Sequence, residues 1–167
     1  MIINNFKHIT NNSKKVKNGS CFFSFNNDLA NIEEAIKNGA SLIISREKLD
    51  LKIKNLVVKN IEYFFCYCYK KINDIDMKNF TIISVTGTDG KTTTAKMIYD
   101  TISERYKALY IGTLGIIYHD KIIETKNTTP DLEIILESFM ICKKEKINYI
   151  IMESSSEGLL GKRLTGI

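Results

Sequence analysis

At 167 residues the chain is long enough for one domain or two small ones, with a core that needs no disulfide or metal staple. With 44% hydrophobic and 26% charged residues it lies outside the disordered class, and no apolar run approaches the ~18 residues of a membrane span. The net charge of +5 comes from lysines scattered singly or in pairs, with Arg46, Arg105 and Arg163 as the arginines, which describes a solvated surface rather than a nucleic-acid face.

Met1 to Lys7 has no basic segment followed by a long apolar stretch, so no secretory leader is predicted and the expected location is cytoplasmic. Cys21, Cys66, Cys68 and Cys142 form no C-x-x-C pair, and His8 and His119 lie near none of them in sequence. Reduced core cysteines are expected, not a zinc site, and neither histidine reads as a catalytic base.

The first half reads as a small mixed α/β domain, residues 1–78. Cys21 to Phe25 suits a strand. Asp28 to Asn38 places Leu29, Ile32, Ala35 and Ile36 at helical spacing, with Gly39 as the stop. Ser41 to Ser45 and Asn55 to Val58 read as buried strands. Ile61 to Ile72 reads as a helix whose Phe64, Phe65 and Tyr69 face a core, and the polar stretch Asn73 to Asn79 reads as a linker.

The second half, residues 79–167, reads as a mostly parallel α/β unit. Phe80 to Val85 is predicted as a buried strand and Ala95 to Tyr106 as a helix with Met97, Ile98 and Ile102 on its inner face. Ala108 to Ile111 is a second strand. Ile116 to Tyr118 and Ile122 to Ile123 flank His119-Asp120-Lys121 as a hairpin. Thr129-Pro130-Asp131 reads as a helix start, with a capping hydroxyl, a proline at the first helical position and an acid in the first turn. Leu132, Ile135, Leu136 and Phe139 form the buried stripe. Asn148 to Met152 is a third strand, and the order β-α-β-hairpin-α-β predicts a parallel core. Three main strands make a short nucleotide-binding domain, so this domain is expected to be incomplete.

Between the first strand and its helix lies Thr86-Gly87-Thr88-Asp89-Gly90-Lys91-Thr92-Thr93-Thr94. Phosphate binding needs a turn free of side chains, so that backbone N–H groups converge on oxygen, and Gly87 and Gly90 permit one. Lys91 is then expected to reach the β- and γ-phosphates, and the Thr92 hydroxyl to ligate Mg2+. The spacing is G-x-x-G-K-T, with Val85 where the longer motif has its first glycine. Glu153-Ser154-Ser155-Ser156 ends the third strand at the same sheet edge, where ligands of open α/β sheets bind, so Glu153 is expected to share the metal with Thr92.

Thr86 to Thr94 resembles the ATP loop of the Mur ligases, which carry this shortened spacing. The loop alone does not separate them from folylpolyglutamate synthetases, whose loop usually reads G-K-G-S. The combination with Ile111-Gly112-Thr113-Leu114-Gly115, Asn127-Thr128-Thr129-Pro130 and Met152-Glu153-Ser154-Ser155-Ser156 resembles the Mur ligases that add the third amino acid of the peptidoglycan stem. Asn12 to Phe23 is similar to the family's D-S-R-x-V-x-x-G-x-x-F-F element, which holds the uridine end of the substrate. Here Asn12 and Lys14 replace the usual Asp and Arg, the loop after Phe22-Phe23 is shortened to Asn26-Asn27-Asp28, Glu157 stands where His is common, and Gly161 where Gln is usual.

The resemblance implies ATP and Mg2+ as cofactors. It implies ATP contacts from Gly87, Thr88, Asp89, Gly90, Lys91, Thr92 and Thr93, with Lys91 catalytic and Thr92 and Glu153 as metal ligands. Ser13 would meet the uridine nucleotide, and Asn127, Thr128, Thr129, Ser155 and Arg163 the UDP-MurNAc-dipeptide. The second substrate would be an amino acid of lysine or diaminopimelate type, and the chemistry acyl phosphate formation followed by amide formation, with no nucleic acid and no membrane involved. The family's carbamylated lysine and its amino-acid-selecting C-terminal domain have no counterpart in these residues, so residues 1–167 alone are expected to show no ligase turnover. A stand-alone nucleotide-binding module and a truncated, inactive relic are the competing readings.

Overall fold

The computed structural model describes residues 6–167, and all statements of structure concern those residues. Most of the segment read above for a leader lies outside them. One compact unit ends at Asp74 and a second runs from Ile75 to Thr165.

The first unit holds a parallel sheet in the order β1 (Ile9–Thr10), β2 (Cys21–Phe23), β3 (Leu42–Ser45), β4 (Lys54–Val57). Helix α1 (Leu29–Lys37) starts at Asp28, whose carboxylate accepts the Ala30 N–H at 3.0 Å. It buries Ile32 and Ala35 against Val16, Phe22 and Ile43. Helix α2 (Ile61–Ile72) buries Phe65 edge-on to Phe23 and Phe25, with ring centroids 5.0 and 5.5 Å apart. Strand β1 carries no turn or periodicity signal in its two residues and went unread in the sequence. Strand β2 stops at Phe23, two residues before the predicted end. Strand β4 corrects the expectation of a buried strand: it is the sheet's outer strand, with Lys54 and Val57 exposed, because β3 covers one side only.

The second unit holds a five-stranded mixed sheet in the order β5 (Thr81–Val85), β9 (Tyr149–Glu153), β6 (Ala108–Gly112), β7 (Gly115–Tyr118), β8 (Lys121–Ile123). Strands β5, β9 and β6 run parallel, and β6–β7–β8 form antiparallel pairs. His119, at the tip of the last hairpin, has φ +50°. The third strand of the parallel core in chain order is its middle strand in space, inserted between β5 and β6. Among the described residues strand β5 is the outer strand of this sheet, with Thr81 and Ser84 exposed and Ile82, Ile83 and Val85 half-buried, where a buried strand was expected.

Helix α3 spans Lys91–Ser103, beginning four residues before the predicted Ala95, because left-handed Gly90 (φ +72°) starts it directly from the loop. Its inner face is Ala95 and Tyr99 with Ile98 and Ile102 beside them, while Met97 is 65% exposed, contrary to the predicted stripe. Helix α4 (Leu132–Glu145) buries Leu132, Ile135, Leu136 and Phe139 as expected. Its cap is Asp131, whose side chain makes no capping bond, so the reading of Thr129 and Pro130 as cap and first turn is also corrected. Helix α5 (Ser156–Leu160) follows β9 and is capped by Ser155, which accepts the Gly158 N–H at 3.1 Å.

All four cysteines are free and buried. Burial pushes the Cys68 thiol up to about 11 and Cys142 up to about 12, and raises Cys21 and Cys66 as well. The thiolate is the nucleophile, so iodoacetamide at pH 8 is expected to modify none of the four within minutes and all four once urea unfolds the chain. The same shifts set the sign of the alkaline limit. Below the ordinary thiol value of 9.0 the stabilisation is fully present, and it is lost as pH rises toward the folded values.

Candidate nucleotide and metal site

The parallel register sets Val85 of β5 opposite Glu153 of β9. The glycine loop leaves the sheet at Val85, so it starts beside the carboxylate that closes β9, at the carboxyl end of the parallel strands. The Ser154 N–H donates to the Val85 carbonyl at 2.8 Å and extends this pairing past the strand ends. Because α3 begins at Lys91, residues Lys91, Thr92 and Thr93 form its first turn, where unpaired N–H groups and the positive end of the helix dipole face the loop. Lys91 Nζ donates to the loop's own carbonyls, Gly87 O at 2.8 Å and Thr88 O at 3.1 Å, which keeps the ammonium inside the curve of the loop. Thr88, Asp89 and Thr93 are exposed.

Glu153 is wholly buried, and its carboxylate organises the site. Thr92 Oγ1 donates to Glu153 Oε2 at 2.9 Å and stands 3.2 Å from Thr113 Oγ1. Thr113 Oγ1 also approaches Oε2 at 3.2 Å, while the Thr113 N–H donates to Oε1 at 3.0 Å. The Tyr110 hydroxyl donates to Oε1 as well. Burial, and then the bond to Glu153 and its charge, push the Tyr110 hydroxyl far above its ordinary range, so it stays a proton donor. Four donors converge on this one buried carboxylate, so neither oxygen is left without a partner.

The hydroxyls continue outward. Thr113 Oγ1 lies 3.0 Å from Thr128 Oγ1. Buried Thr129 donates to the Glu153 carbonyl at 2.9 Å, accepts the Ser155 N–H at 2.9 Å, and sits 3.0 Å from Ser155 Oγ. Arg163 donates through Nη1 to the Thr129 carbonyl at 2.9 Å, and its Nε lies 3.5 Å from the Asp131 carboxylate. Asn127 is exposed on the same loop. Of the residues singled out in the sequence, Thr92, Thr128, Thr129, Glu153, Ser155 and Arg163 thus form one continuous network beside the glycine loop. Ser13 belongs to the first unit. There it is buried, donates to the Glu34 carboxylate and lies 3.3 Å from Asn31 Oδ1, while Asn12 caps its turn through the Lys14 N–H at 3.0 Å.

Tyr110 escaped the sequence reading, and Thr113 entered it only as part of the Ile111–Gly115 segment, with no role assigned. Tyr110 sits in an apolar strand run and reads as core, and Thr113 follows a glycine at a strand end. Only the β6–β9 pairing brings them to Glu153.

Among the described residues no cluster of three or more His, Cys, Asp and Glu side chains could hold a metal ion, and no helix is long and apolar enough to cross a membrane. The oxygens of Thr92 and Glu153 fit Mg2+ nonetheless. Mg2+ favours hard oxygen donors and takes one or two carboxylates, with water and substrate phosphates completing its shell.

A family model described as "Mur ligase middle domain" matches residues 85–167. The UDP-N-acetylmuramoyl-L-alanyl-D-glutamate–2,6-diaminopimelate ligase of Fusobacterium nucleatum is 34% identical over 153 residues, covering 88% of this chain and 31% of that protein. The corresponding L-lysine ligase of Streptococcus mutans is 26% identical over 167 residues, covering 97% of this chain and 34% of its own length. A solved structure of a UDP-N-acetylmuramoyl-L-alanyl-D-glutamate–2,6-diaminopimelate ligase superposes with a TM-score of 0.81 at 26% identity, over 97% of this chain and 34% of that one. The chain spans about a third of the length of the curated relatives it matches.

Proposed function

Because the chain belongs to the Mur ligase family, we propose that it is the N-terminal part of an ATP-dependent amide ligase of the MurE type, which adds the third amino acid to UDP-MurNAc-dipeptide. The observation that carries this reading is the meeting of Thr92, from the first turn after the glycine loop, with buried Glu153 at the end of the neighbouring strand.

In this reading Gly87 to Thr93 bind ATP. Their backbone N–H groups and the α3 dipole face the phosphates, and Lys91 moves from the loop carbonyls to the β- and γ-phosphate oxygens as a point charge. Thr92 and Glu153 hold Mg2+, which supplies charge neutralisation at the phosphates when bound. Asn127, Thr128, Thr129, Ser155 and Arg163 contact the UDP-MurNAc-dipeptide, and Ser13 contacts its uridine nucleotide. That carboxylate attacks the γ-phosphorus, the bond to the β,γ-bridging oxygen breaks, and ADP leaves. The amine of a lysine- or diaminopimelate-type amino acid then attacks the acyl carbon, inorganic phosphate leaves, and the amine gives up a proton. The residues of this chain contribute alignment and preorganised charge rather than covalent chemistry.

Two binding titrations test the proposal. A fluorescent ATP analogue with Mg2+ is expected to bind the protein, and Lys91→Ala to weaken it at least tenfold. UDP-MurNAc-dipeptide is expected to bind independently. Nucleotide binding without any affinity for the UDP-dipeptide would leave the stand-alone nucleotide module as the better description.

A further inference from the structure

We propose that Tyr110 is a positioning residue for the metal site, acting through Glu153. The inference rests on the reading above, in which Glu153 and Thr92 hold Mg2+.

The two oxygens of Glu153 have different neighbours. Oε2 faces the hydroxyls of Thr92 and Thr113, on the side of the glycine loop. Oε1 faces the sheet, where it accepts from the Tyr110 hydroxyl and from the Thr113 N–H. A carboxylate on a glutamate side chain rotates about its last bond unless one oxygen is held, and here Oε1 is held by two donors from one strand end. The consequence is a fixed presentation of Oε2.

Tyr110 suits this task because its own position is over-determined. It lies on β6 opposite Ile151, two residues before Glu153 on β9, so both side chains emerge from one face of the sheet. The ring is fully buried, packs with Ala95, Tyr99, Ala108, Ile117 and Ile151, and meets Tyr99 edge-on at 6.1 Å. Tyr99 and Ala95 belong to α3, the helix whose first turn carries Thr92. One rigid ring therefore ties the carboxylate to the helix that bears the other proposed ligand. A phenylalanine would fill the same space, so packing does not require the hydroxyl. Partners that orient a metal ligand commonly govern affinity by 10- to 100-fold.

The test is Tyr110→Phe, read by electron paramagnetic resonance of Mn2+ titrated into protein saturated with ATP. The expected result is a Kd for Mn2+ at least tenfold weaker than in the wild type, with metal-free ATP affinity within twofold and an unchanged far-ultraviolet circular dichroism spectrum. An unchanged Mn2+ Kd in a folded Tyr110→Phe protein would overturn the proposal. If that variant does not fold, 3-fluorotyrosine at position 110 replaces it. Its 19F resonance is expected to shift when Mg2+ is added to the ATP complex, and a resonance that stays put rejects the idea. Glu153→Gln separates the two levels. If wild type and Glu153→Gln bind Mn2+ equally, the metal-site reading itself fails and Tyr110's role falls with it. If only Glu153→Gln is weakened, Tyr110 alone is refuted.

Discussion

Gly112→Ala is expected to destabilise the second unit by roughly 2–3 kcal/mol and to lower its Tm by roughly 10–20 °C. Gly112 ends β6, is buried, and packs its α-carbon against the carboxylate of Glu153 and the ring of Tyr110. A methyl group there would overlap Glu153 Oε1 and the Tyr110 hydroxyl and stand 2.6 Å from the Tyr110 ring carbon Cζ. An exposed glutamate would swing aside at little cost. This one is buried and held by Tyr110, Thr92 and Thr113, and the tyrosine is pinned by Tyr99. Relief therefore requires breaking a bond to a buried carboxylate, which adds to the steric cost. Thermal unfolding followed by circular dichroism checks the stability, and Mn2+ titration checks the site. A Gly112→Ala protein with wild-type Tm and wild-type Mn2+ affinity would show that the carboxylate is free to move and that its four donors do not fix it.

That glycine also marks where sequence reasoning stops. The elements themselves were largely legible, because periodicity and punctuation are local properties. Leu132, Ile135, Leu136 and Phe139 declare a helix face, and Gly39 a helix end. The proximity of Thr92 and Glu153 was legible too, since a glycine loop and an acid at a strand end share one edge in any parallel α/β sheet. Burial of whole strands was not. Phe80 to Val85 and Asn55 to Val58 have the composition of interior strands, yet among the described residues β5 and β4 lie at the ends of their sheets, and only strand order decides that. Met97 is a different case: it lies off the row of Ala95, Ile98, Tyr99 and Ile102, so it points outward. Tyr110, Gly112 and Thr113 could not be connected to Glu153 without knowing that β9 inserts beside β6. Three of the four donors on this buried acid come from the neighbouring strand and the residue that follows it, and neighbours in a parallel sheet are set by crossovers rather than by sequence distance.

Thr129 carries the other large effect, and here a local signal misdirected the reading. Threonine before proline reads as a helix cap, but its hydroxyl is turned the other way, to the end of β9. It donates to the Glu153 carbonyl, accepts the Ser155 N–H and touches Ser155 Oγ. Thr129→Val keeps the shape and removes both bonds, leaving a buried carbonyl and an N–H unmatched. Each such group costs about 1–3 kcal/mol, so the variant is expected to lose about 3 kcal/mol. Thr129→Ser restores the hydroxyl and gives up only the methyl that packs on Gly158, so about two-thirds of the loss should return. Thr128→Val is the contrast. Its hydroxyl meets Thr113 at the surface of the network, and removing it is expected to change stability by less than about 0.5 kcal/mol. If the loop serves the UDP-dipeptide as proposed, Thr128→Val weakens that ligand at unchanged Tm, whereas Thr129→Val weakens it together with a lowered Tm. Urea unfolding and ligand titration on the same three proteins separate the two cases. A Thr129→Val protein with wild-type stability would mean that the β9 terminus is held by something other than this hydroxyl, and that Thr129 acts on the ligand alone.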